Sequence, residues 1–342
     1  MTTASGDGSG RTGRPYRVAL TGARTFFGER LISALEADPD CEHVAALDIR
    51  PPDSGRTKTR FARLDLTDPA SDEVAAKILT DDGIDVLCHL AFLAHPSHSS
   101  SWAHELEAIG SLYIMNAAAT AKVPKVVLRS TTAVYGAHPT NPAFLTERHE
   151  LRGERKSRWV MDKVAAEREL ARLRKDCPEM VCTALRFGMT VGPTIRTWWS
   201  RMLSRQTVPR LMGYDPMMQF IHEDDAIDAL VKAVREDHPG DFNIVAPGTL
   251  YFSDVLKLGG RVGVQVPHLL GYPFGNLLFN LQLADAPGTF LNYLRYTWVA
   301  DDRRMREVFG FSPRHTSREA IVSFYQSLAH KTGAPSVARG AV

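Results

Sequence analysis

The sequence predicts a doubly wound α/β fold, in which helices cover both faces of a parallel sheet, and three observations lead to it. Short apolar runs typical of buried strands alternate with helical patterns over the first half of the chain. The first apolar run leads directly into a Thr-Gly turn and a helical pattern, a common start for such a fold. The length of 342 residues suggests one large α/β domain with a smaller companion.

The predicted elements can be placed one by one along residues 16–130. They are a strand over 16–20, a helix over 26–37, strands ending at Leu47-Asp48 and Leu64-Asp65, a helix from Asp68-Pro69, a strand over 84–90, a helix over 102–121 and a strand over 125–130. Asp68 and Pro69 are favoured N-cap and first-turn residues. Ligands of such sheets bind beyond the carboxyl ends of the strands, so residues that directly follow a strand are the functional candidates.

The composition narrows the function further. The chain has 41 Lys and Arg against 39 Asp and Glu, so it lacks the basic excess of a general nucleic-acid binder. Its cysteines, Cys41, Cys88, Cys177 and Cys182, form no C-x-x-C pair and have no His at zinc-ligand spacing, which predicts reduced thiols, a cytoplasmic location and no metal site. No apolar run reaches about 18 residues, so we expect no transmembrane helix. We expect a small-molecule substrate.

The chain changes character towards its C-terminus. The alternation becomes irregular after about residue 187, and residues 263–298 are apolar and rich in Pro, Gly and Leu. We interpret this stretch as the core of a second lobe or lid, or alternatively as a surface for a hydrophobic substrate or a membrane interface. Thr316 and Glu319 have the spacing of a capping box and predict the start of the last helix.

A nucleotide site is predicted directly after the first strand. The segment there comprises Thr21, Gly22, Ala23, Arg24, Thr25, Phe26, Phe27 and Gly28. Gly22 permits a tight turn, Gly28 allows close packing of the helix on the sheet, and the helix N-terminus offers free N–H groups to a pyrophosphate. Thr25 stands where a middle glycine would complete the pattern, so its Cβ limits how closely the backbone approaches a phosphate, although its hydroxyl can donate to one.

Asp48 is the predicted ribose ligand. It ends the second strand, 20 residues after Gly28, where an acid accepts hydrogen bonds from adenosine ribose hydroxyls and repels a 2′-phosphate. This position favours NAD over NADP, and Arg24 and Arg50 nearby would soften the preference. The alternative is a surface acid at a strand end.

Further motifs follow in one order along the chain. They are Thr21-Gly22-Ala23, Leu64-Asp65-Leu66, His89-Leu90-Ala91, the segment from Ser130 to Gly136 that contains Thr131, and residues 186–193, 220–225, 242–244 and 302–313. From about residue 16 to 326 the chain thereby resembles the extended short-chain dehydrogenase/reductases, the NAD-dependent epimerase/dehydratase family. The resemblance implies a Rossmann-type sheet with NAD bound, cofactor contacts at Asp65, Leu66, Leu90 and Ala91, and a homodimer formed through helices around 102–121 and 159–175.

The catalytic set departs from that family. Its members carry Y-x-x-x-K, in which the spacing of four puts both side chains on one helical face, so that the lysine lowers the phenol pKa and holds the nicotinamide ribose. Here the lysine is Lys163, but the tyrosine position holds Trp159. An indole N–H is neither a general acid nor a general base near neutral pH. Thr131 stands at the position of the family's catalytic Ser or Thr and is expected to orient a carbonyl.

Four other side chains are candidates for the missing acid or base. They are His138, Glu147, His149 and Asp162, and each is also readily explained as a solvated loop or helix-face residue. Asp162 directly precedes Lys163, and adjacent helical positions point about 100° apart. We therefore expect Asp162 to face away from the site.

Other departures concern the substrate. Thr132-Ala133 replaces the Asp-Glu pair of the family's 4,6-dehydratases, so this activity is not expected. Met189 and Glu107 stand where sugar-nucleotide enzymes have asparagines. Several apolar side chains fall in the predicted substrate lobe, which fits a hydrophobic ligand or, alternatively, an ordinary core; they are Met189, Trp198, Trp199, Met202, Met217 and Met218.

These observations divide the chain as follows. We predict a disordered leader over 1–15, an NAD-binding Rossmann domain over 16–186 and 220–246, a smaller interleaved α/β substrate lobe over 187–219 and 247–328, and a disordered tail over 329–342. The predicted function is an NAD-binding oxidoreductase or epimerase that acts on a hydroxyl or carbonyl of a nucleotide-sugar or hydrophobic substrate with an altered catalytic set. The alternative is a catalytically inactive NAD-binding sensor or structural protein. An interaction protein that binds no nucleotide is a third reading, supported only by Thr25.

Overall fold

The structure is a computed structural model that describes residues 15–53 and 56–332. The predicted leader therefore lies outside the described residues except for Pro15, and so does the predicted tail from residue 333 onwards. Within the described part of the chain, no helix is long and apolar enough to cross a membrane.

The central element is a seven-stranded sheet in which all neighbouring strands are parallel. Its strands are β1 (Tyr16–Thr21), β2 (Cys41–Asp48), β3 (Thr59–Arg63), β4 (Val86–His89), β5 (Lys125–Thr131), β6 (Val181–Phe187) and β11 (Gly240–Ile244). They lie in the order β11-β6-β5-β4-β1-β2-β3. The order reverses between β1 and β4, and ligands of such sheets bind at this switch point.

Helices cover both faces of the sheet, as predicted. The helices of this domain are α1 (Phe26–Glu36), α2 (Ser71–Asp81), α3 (Ser100–His104), α4 (Gly110–Thr120), α5 (Arg158–Asp176) and α7 (Glu223–Arg235). Apolar side chains of α1 and α7 pack in one buried cluster, and those of α2, α4 and α5 pack in a second cluster on the opposite face. A single π-helical turn, Glu105–Ile109, joins α3 to α4 within the predicted helix over 102–121.

The rest of the chain forms a smaller region with a third buried cluster. Its strands are β7 (Met189–Val191), β8 (Thr207–Leu211), β9 (Met217–Met218), β10 (Phe220–His222), β12 (Leu250–Tyr251) and β13 (Val262–Val266), paired as β7 with β10, β8 with β13 and β9 with β12. Its helices are α6 (Trp198–Ser204), α8 (Phe252–Leu258), α9 (His268–Asn280) and α11 (Ser317–Thr332), with a 3-10 turn at Gly288–Leu294. A second 3-10 turn, Thr132–Tyr135, directly follows β5, and helix α10 (Arg303–Glu307) lies beside β11. Met305 and Phe309 pack in the sheet cluster beside β11 rather than in the third cluster.

Two predicted boundaries are wrong and one is confirmed. Helix α2 begins at Ser71 rather than at Asp68, because Asp68 accepts hydrogen bonds from Ala70 N and Ser71 N in a turn that precedes the helix. The capping box of α11 forms, with Thr316 N donating to the Glu319 carboxylate at 2.7 Å and Glu319 N donating to the Thr316 hydroxyl at 3.2 Å. Helix α11 continues to Thr332, so the tail does not start at residue 329; Lys331 Nζ anchors the last turn by donating to Pro193 O at 2.9 Å.

Candidate functional site

A cavity of about 180 Å³ lies at the switch point between β1 and β4. We call it the adenosine cavity, because the sequence predicts the adenosine half of the nucleotide there. Six of the predicted cofactor residues line it: Gly22, Thr25, Asp48, Asp65, Leu66 and Ala91. The tight turn needs a glycine, because Gly22 has φ +72° and a Cβ there would stand 2.7 Å from Ala91 Cα. Leu90, the residue before Ala91, is fully buried and does not line the cavity.

The first turn of α1 stands beside this cavity. Thr25 is the N-cap, and its hydroxyl donates to Gly22 O at 2.7 Å and accepts from Gly28 N at 3.1 Å. The hydroxyl proton is therefore used within the turn instead of being available to a phosphate. A Cβ on Gly28 would stand 2.2 Å from Gly22 O, which explains why the helix needs a glycine there. Among the described residues, the N–H groups of Phe26 and Phe27 have no acceptor.

Asp48 ends β2 with its carboxylate held by backbone donors. Its Oδ2 accepts from Arg24 N at 3.0 Å and its Oδ1 from Ile49 N at 2.8 Å. The Arg24 guanidinium is itself engaged with two acids, Glu29 at 3.1 Å and Asp53 at 2.7 Å. The carboxylate is thus positioned on the cavity wall with its guanidinium neighbour already paired.

A buried histidine, His89, forms hydrogen bonds beneath the adenosine cavity. His89 Nδ1 lies 2.7 Å from the Thr21 hydroxyl and its Nε2 lies 2.8 Å from the Ser111 hydroxyl. Burial lowers the pKa of His89 to about 3, so the ring is neutral at physiological pH. Strands β1 and β4 are therefore joined to α4 by neutral hydrogen bonds.

A second cavity lies beyond the ends of β5 and β6, and we call it the aromatic cavity. It has a volume of about 60 Å³, and its walls include the three predicted catalytic residues, Thr131, Trp159 and Lys163. The aromatic part of the wall is formed by Trp198, Trp199, Phe290, Tyr293 and Trp298. Phe92 and Leu93 border both this cavity and the adenosine cavity. The structure thus brings the predicted catalytic set together, next to the predicted nucleotide site.

Lys163 is held by an ion pair that the sequence analysis did not predict. Its Nζ lies 3.0 and 2.9 Å from the two carboxylate oxygens of Glu107, and both side chains are buried. A third, longer hydrogen bond of 3.4 Å goes to Trp159 O. Burial lowers the pKa of Lys163 to about 8 against the opposing effect of Glu107, and burial raises the pKa of Glu107.

Glu107 belongs to the π-helical turn between α3 and α4. Besides Lys163, its carboxylate accepts from Leu93 N at 2.5 Å. The turn therefore links the loop after β4 to Lys163 through one side chain. The sequence shows the acid at an asparagine position of the family, but it does not show the ion pair, because Lys163 lies 56 residues further along the chain.

Trp159 is also fixed. Its indole N–H donates to Leu93 O at 3.2 Å, and its ring centroid lies 3.8 Å from Lys163 Nζ, a distance typical of a cation–π contact. The indole therefore covers the lysine and contributes no titrating group.

The hydroxyl of Thr131 is the third catalytic candidate. It accepts from Ala133 N at 3.3 Å, and among the described residues it has no acceptor for its own proton. It is therefore able to donate a hydrogen bond to an oxygen placed in the aromatic cavity.

The other candidate acids and bases have structural partners elsewhere. His138 contacts Gly153 O at 2.9 Å, and Glu147 accepts from Asn243 N at 2.9 Å. His149 accepts from Thr146 N at 2.9 Å, and Asp162 contacts His104 Nδ1 at 2.6 Å. None of the four is among the residues that line the aromatic cavity. The described residues contain no group of three or more His, Cys, Asp or Glu side chains spaced to hold a metal ion.

Comparison with known proteins places this geometry in context. The family model "NAD dependent epimerase/dehydratase family" matches residues 18–245. An uncharacterized protein of Mycobacterium tuberculosis is 30% identical over 319 residues, which cover 91% of this chain and 84% of that protein.

Solved structures of the same fold cover nearly the whole chain. MoeE5 in complex with UDP-glucuronic acid and NAD is 22% identical with a TM-score of 0.71, over 92% of this chain and 99% of that one. DesIV from Streptomyces venezuelae, a dTDP-glucose 4,6-dehydratase with NAD and TYD bound, is 17% identical with a TM-score of 0.69, over 93% of this chain and 98% of that one. At these identities the likeness shows the fold, and the Rossmann-type sheet predicted from the sequence is confirmed.

Proposed function

Because the chain belongs to the NAD-dependent epimerase/dehydratase family, as its motifs predicted, we propose that it is an NAD-binding oxidoreductase or epimerase with an altered catalytic set. Its substrate is a hydrophobic molecule with a hydroxyl or carbonyl group. One observation carries the proposal: the adenosine cavity and the aromatic cavity are neighbours that share Phe92 and Leu93 in their walls, which is the arrangement that a dinucleotide reaching from Asp48 towards Lys163 would need.

The residues around the adenosine cavity fit NAD. Gly22 and Gly28 leave the turn open where a Cβ would collide with backbone, and the N–H groups of Phe26 and Phe27 are free to donate to a pyrophosphate. Asp48 would accept hydrogen bonds from the ribose hydroxyls and would repel a 2′-phosphate. MoeE5 and DesIV were both solved with NAD. When bound, NAD accepts a hydride from the substrate or, reduced, donates one.

Lys163 can contribute to both binding and proton transfer. Its two short bonds hold Glu107, whereas the 3.4 Å bond to Trp159 O is the one that a ribose hydroxyl would most easily replace. Among the described residues that line the aromatic cavity, Lys163 is the ionisable group with a pKa close to neutrality. We assign it the proton transfer that the missing tyrosine would perform, with Thr131 donating to the substrate oxygen.

The walls of the cavities favour a hydrophobic substrate over a nucleotide-sugar. Met189, at the position of a sugar-binding asparagine, lines the aromatic cavity. Beyond Trp198 and Phe290 lies a further cavity of about 260 Å³ with largely apolar walls, formed mainly by α6, α9 and residues 284–294. A substrate with its reacting carbon near Thr131 could extend its apolar part past these two rings.

The second candidate function is a catalytically inactive NAD-binding protein. The fixed indole of Trp159 favours it, because the hydrogen bond to Leu93 O and the contact with Lys163 leave the family's tyrosine position without an acid or base. The nucleotide cavity would be retained in that case, while turnover would be lost.

Hydride transfer separates the two candidates. Purified protein is mixed with NADH and a panel of long-chain and aryl ketones, and the loss of NADH absorbance is followed. The proposal expects turnover that falls about 100-fold or more in Lys163→Met but not in Lys77→Met, whose lysine is exposed. NADH binding without turnover of any ketone in the panel would favour the second candidate, a catalytically inactive NAD-binding protein.

We also propose a homodimer formed through the helices around 102–121 and 159–175. The resemblance to the family supports this proposal, because its members often dimerise through these helices. Light scattering after size-exclusion chromatography would give twice the mass of the chain. A monomer at all concentrations would contradict the proposal.

A further inference from the structure

Arg129 places an unpaired positive charge in the wall of the aromatic cavity. It lies on β5, two residues before Thr131, and its guanidinium stands 4.3 Å from the ring centroid of Phe27. Its Nε is buried without a hydrogen-bond partner among the described residues.

The charges around the cavity leave Arg129 without a counter-ion of its own. Among the described lining residues, the charged ones are Arg129 and Lys163, and Lys163 is paired with Glu107 at 2.9 Å. Burial lowers the pKa of Arg129 to about 10, while Glu107 opposes this shift, so the guanidinium stays protonated at neutral pH. Arg129 is half-buried, and a cation that is partly removed from water without a partner is stabilised when a ligand supplies an anion.

The geometry of a guanidinium defines which anion fits. Its planar fork of N–H donors matches the two oxygens of a carboxylate, and such pairs are stronger than neutral hydrogen bonds. The pyrophosphate of the nucleotide has its own donors at Phe26 and Phe27, at the start of α1. Arg129 lines the aromatic cavity and is absent from the walls of the adenosine cavity, so its position favours the second ligand of the site.

We propose that Arg129 binds the carboxylate of the substrate, so that the substrate is a hydrophobic carboxylic acid with a hydroxyl or carbonyl group. This inference rests on the proposed function, because it takes the aromatic cavity to be the substrate site. It adds the chemical class of the substrate and the residue that selects it.

The test compares carboxylates with their neutral amides. Octanoate and 3-phenylpropanoate, each beside its amide, are titrated calorimetrically into the NADH-saturated protein and into Arg129→Gln, Arg129→Lys and Arg172→Gln. Arg172 is an exposed arginine on α5 and serves as the matched control. ADP-ribose, which carries the pyrophosphate but no nicotinamide, is titrated into the same four proteins.

We expect at least one carboxylate to bind ten times or more tightly than its amide in the wild type. The preference should disappear in Arg129→Gln, weaken in Arg129→Lys and persist in Arg172→Gln, with ADP-ribose affinity unchanged throughout. No preference for either carboxylate in the wild type, which needs no variant to fold, would overturn the inference. A loss of ADP-ribose affinity in Arg129→Gln with the carboxylate preference intact would also overturn it, by assigning Arg129 to the nucleotide. If the wild type binds neither NADH nor ADP-ribose, the proposed function itself fails.

Discussion

Lys163 Nζ and the carboxylate of Glu107 form a buried ion pair, with both N–O distances between 2.9 and 3.0 Å. The two residues belong to different helical segments on the same side of the sheet. The lysine is the one member of the family's Tyr-Lys pair that this chain retains, and the acid pairs with its charge and fixes its position. The covering indole of Trp159 completes the arrangement at 3.8 Å from the same nitrogen.

Removal of the acid should destabilise the protein. Glu107→Gln leaves a buried ammonium with a weaker partner, and breaking such a pair from one side lowers the free energy of unfolding by about 3–5 kcal/mol. Urea denaturation followed by circular dichroism would measure the change. Asp81→Asn is the matched control, because its pair with Lys77 is exposed and should contribute about 1 kcal/mol or less. Equal effects of the two substitutions would contradict the role assigned to Glu107.

The nucleotide turn should not tolerate a side chain at Gly22. Gly22 and Gly83 both have positive φ, +72° and +58°, but a Cβ on Gly22 meets Ala91 Cα at 2.7 Å, whereas one on Gly83 meets nothing within 4 Å. Gly83→Ala should therefore lower the free energy of unfolding by only about 1–2 kcal/mol, the cost of a side chain at positive φ. Gly22→Ala should lower it clearly more, because the Cβ also collides with backbone. Thermal unfolding of both variants measures the difference. Similar melting temperatures would show that the turn can relax.

Restoration of the tyrosine should raise turnover. Trp159→Tyr places a phenol four residues before Lys163, where the ammonium can lower its pKa, and general acid–base catalysis typically contributes 10²–10⁴-fold. We expect the rate of NADH-dependent ketone reduction to rise by about 100-fold at neutral pH. Trp159→Phe, which removes the indole without adding an acid, is the control. A rise in both variants would attribute the gain to space rather than to proton transfer.

The stability of the fold should fall in mild acid because of His89. Its pKa is about 3 in the folded chain, below the value of about 6.5 expected when unfolded, so below pH 6.5 the unfolded state takes up a proton that the native state does not. Stability is fully present above pH 6.5 and decreases as the pH falls towards 3, by about 2 kcal/mol at pH 5. Urea denaturation at pH 7.5 and pH 5 should show a smaller difference in His89→Asn. An unchanged difference would mean that other groups dominate.

Much of the fold and the nucleotide site follows from local sequence. The turn at Gly22 and the acid at Asp48 lie within single segments whose spacing reflects backbone geometry, so they could be placed without any long-range information. The same holds for the capping box at Thr316 and Glu319. The family's motif order then gives the sheet topology.

The electrostatics of the site could not be predicted in the same way. From the sequence, Glu107 is recognisable only as an acid at a position where related enzymes have an asparagine. Its pairing with Lys163 depends on a π-helical turn that no spacing rule indicates. In the sequence, Arg129 is one residue of an otherwise mostly apolar strand. The position of its charge becomes clear only from its packing against Phe27. Such contacts join segments far apart in the chain.

The most direct test of the account is a calorimetric titration of the wild type and of Asp48→Ala with NAD and with NADP. We expect saturable binding of NAD at least ten times tighter than that of NADP, and a loss of most of this preference in Asp48→Ala, because the carboxylate both binds the ribose hydroxyls and repels a 2′-phosphate. Asp81→Asn should retain the wild-type preference. Absence of saturable binding by either dinucleotide would contradict the central claim that this chain uses NAD.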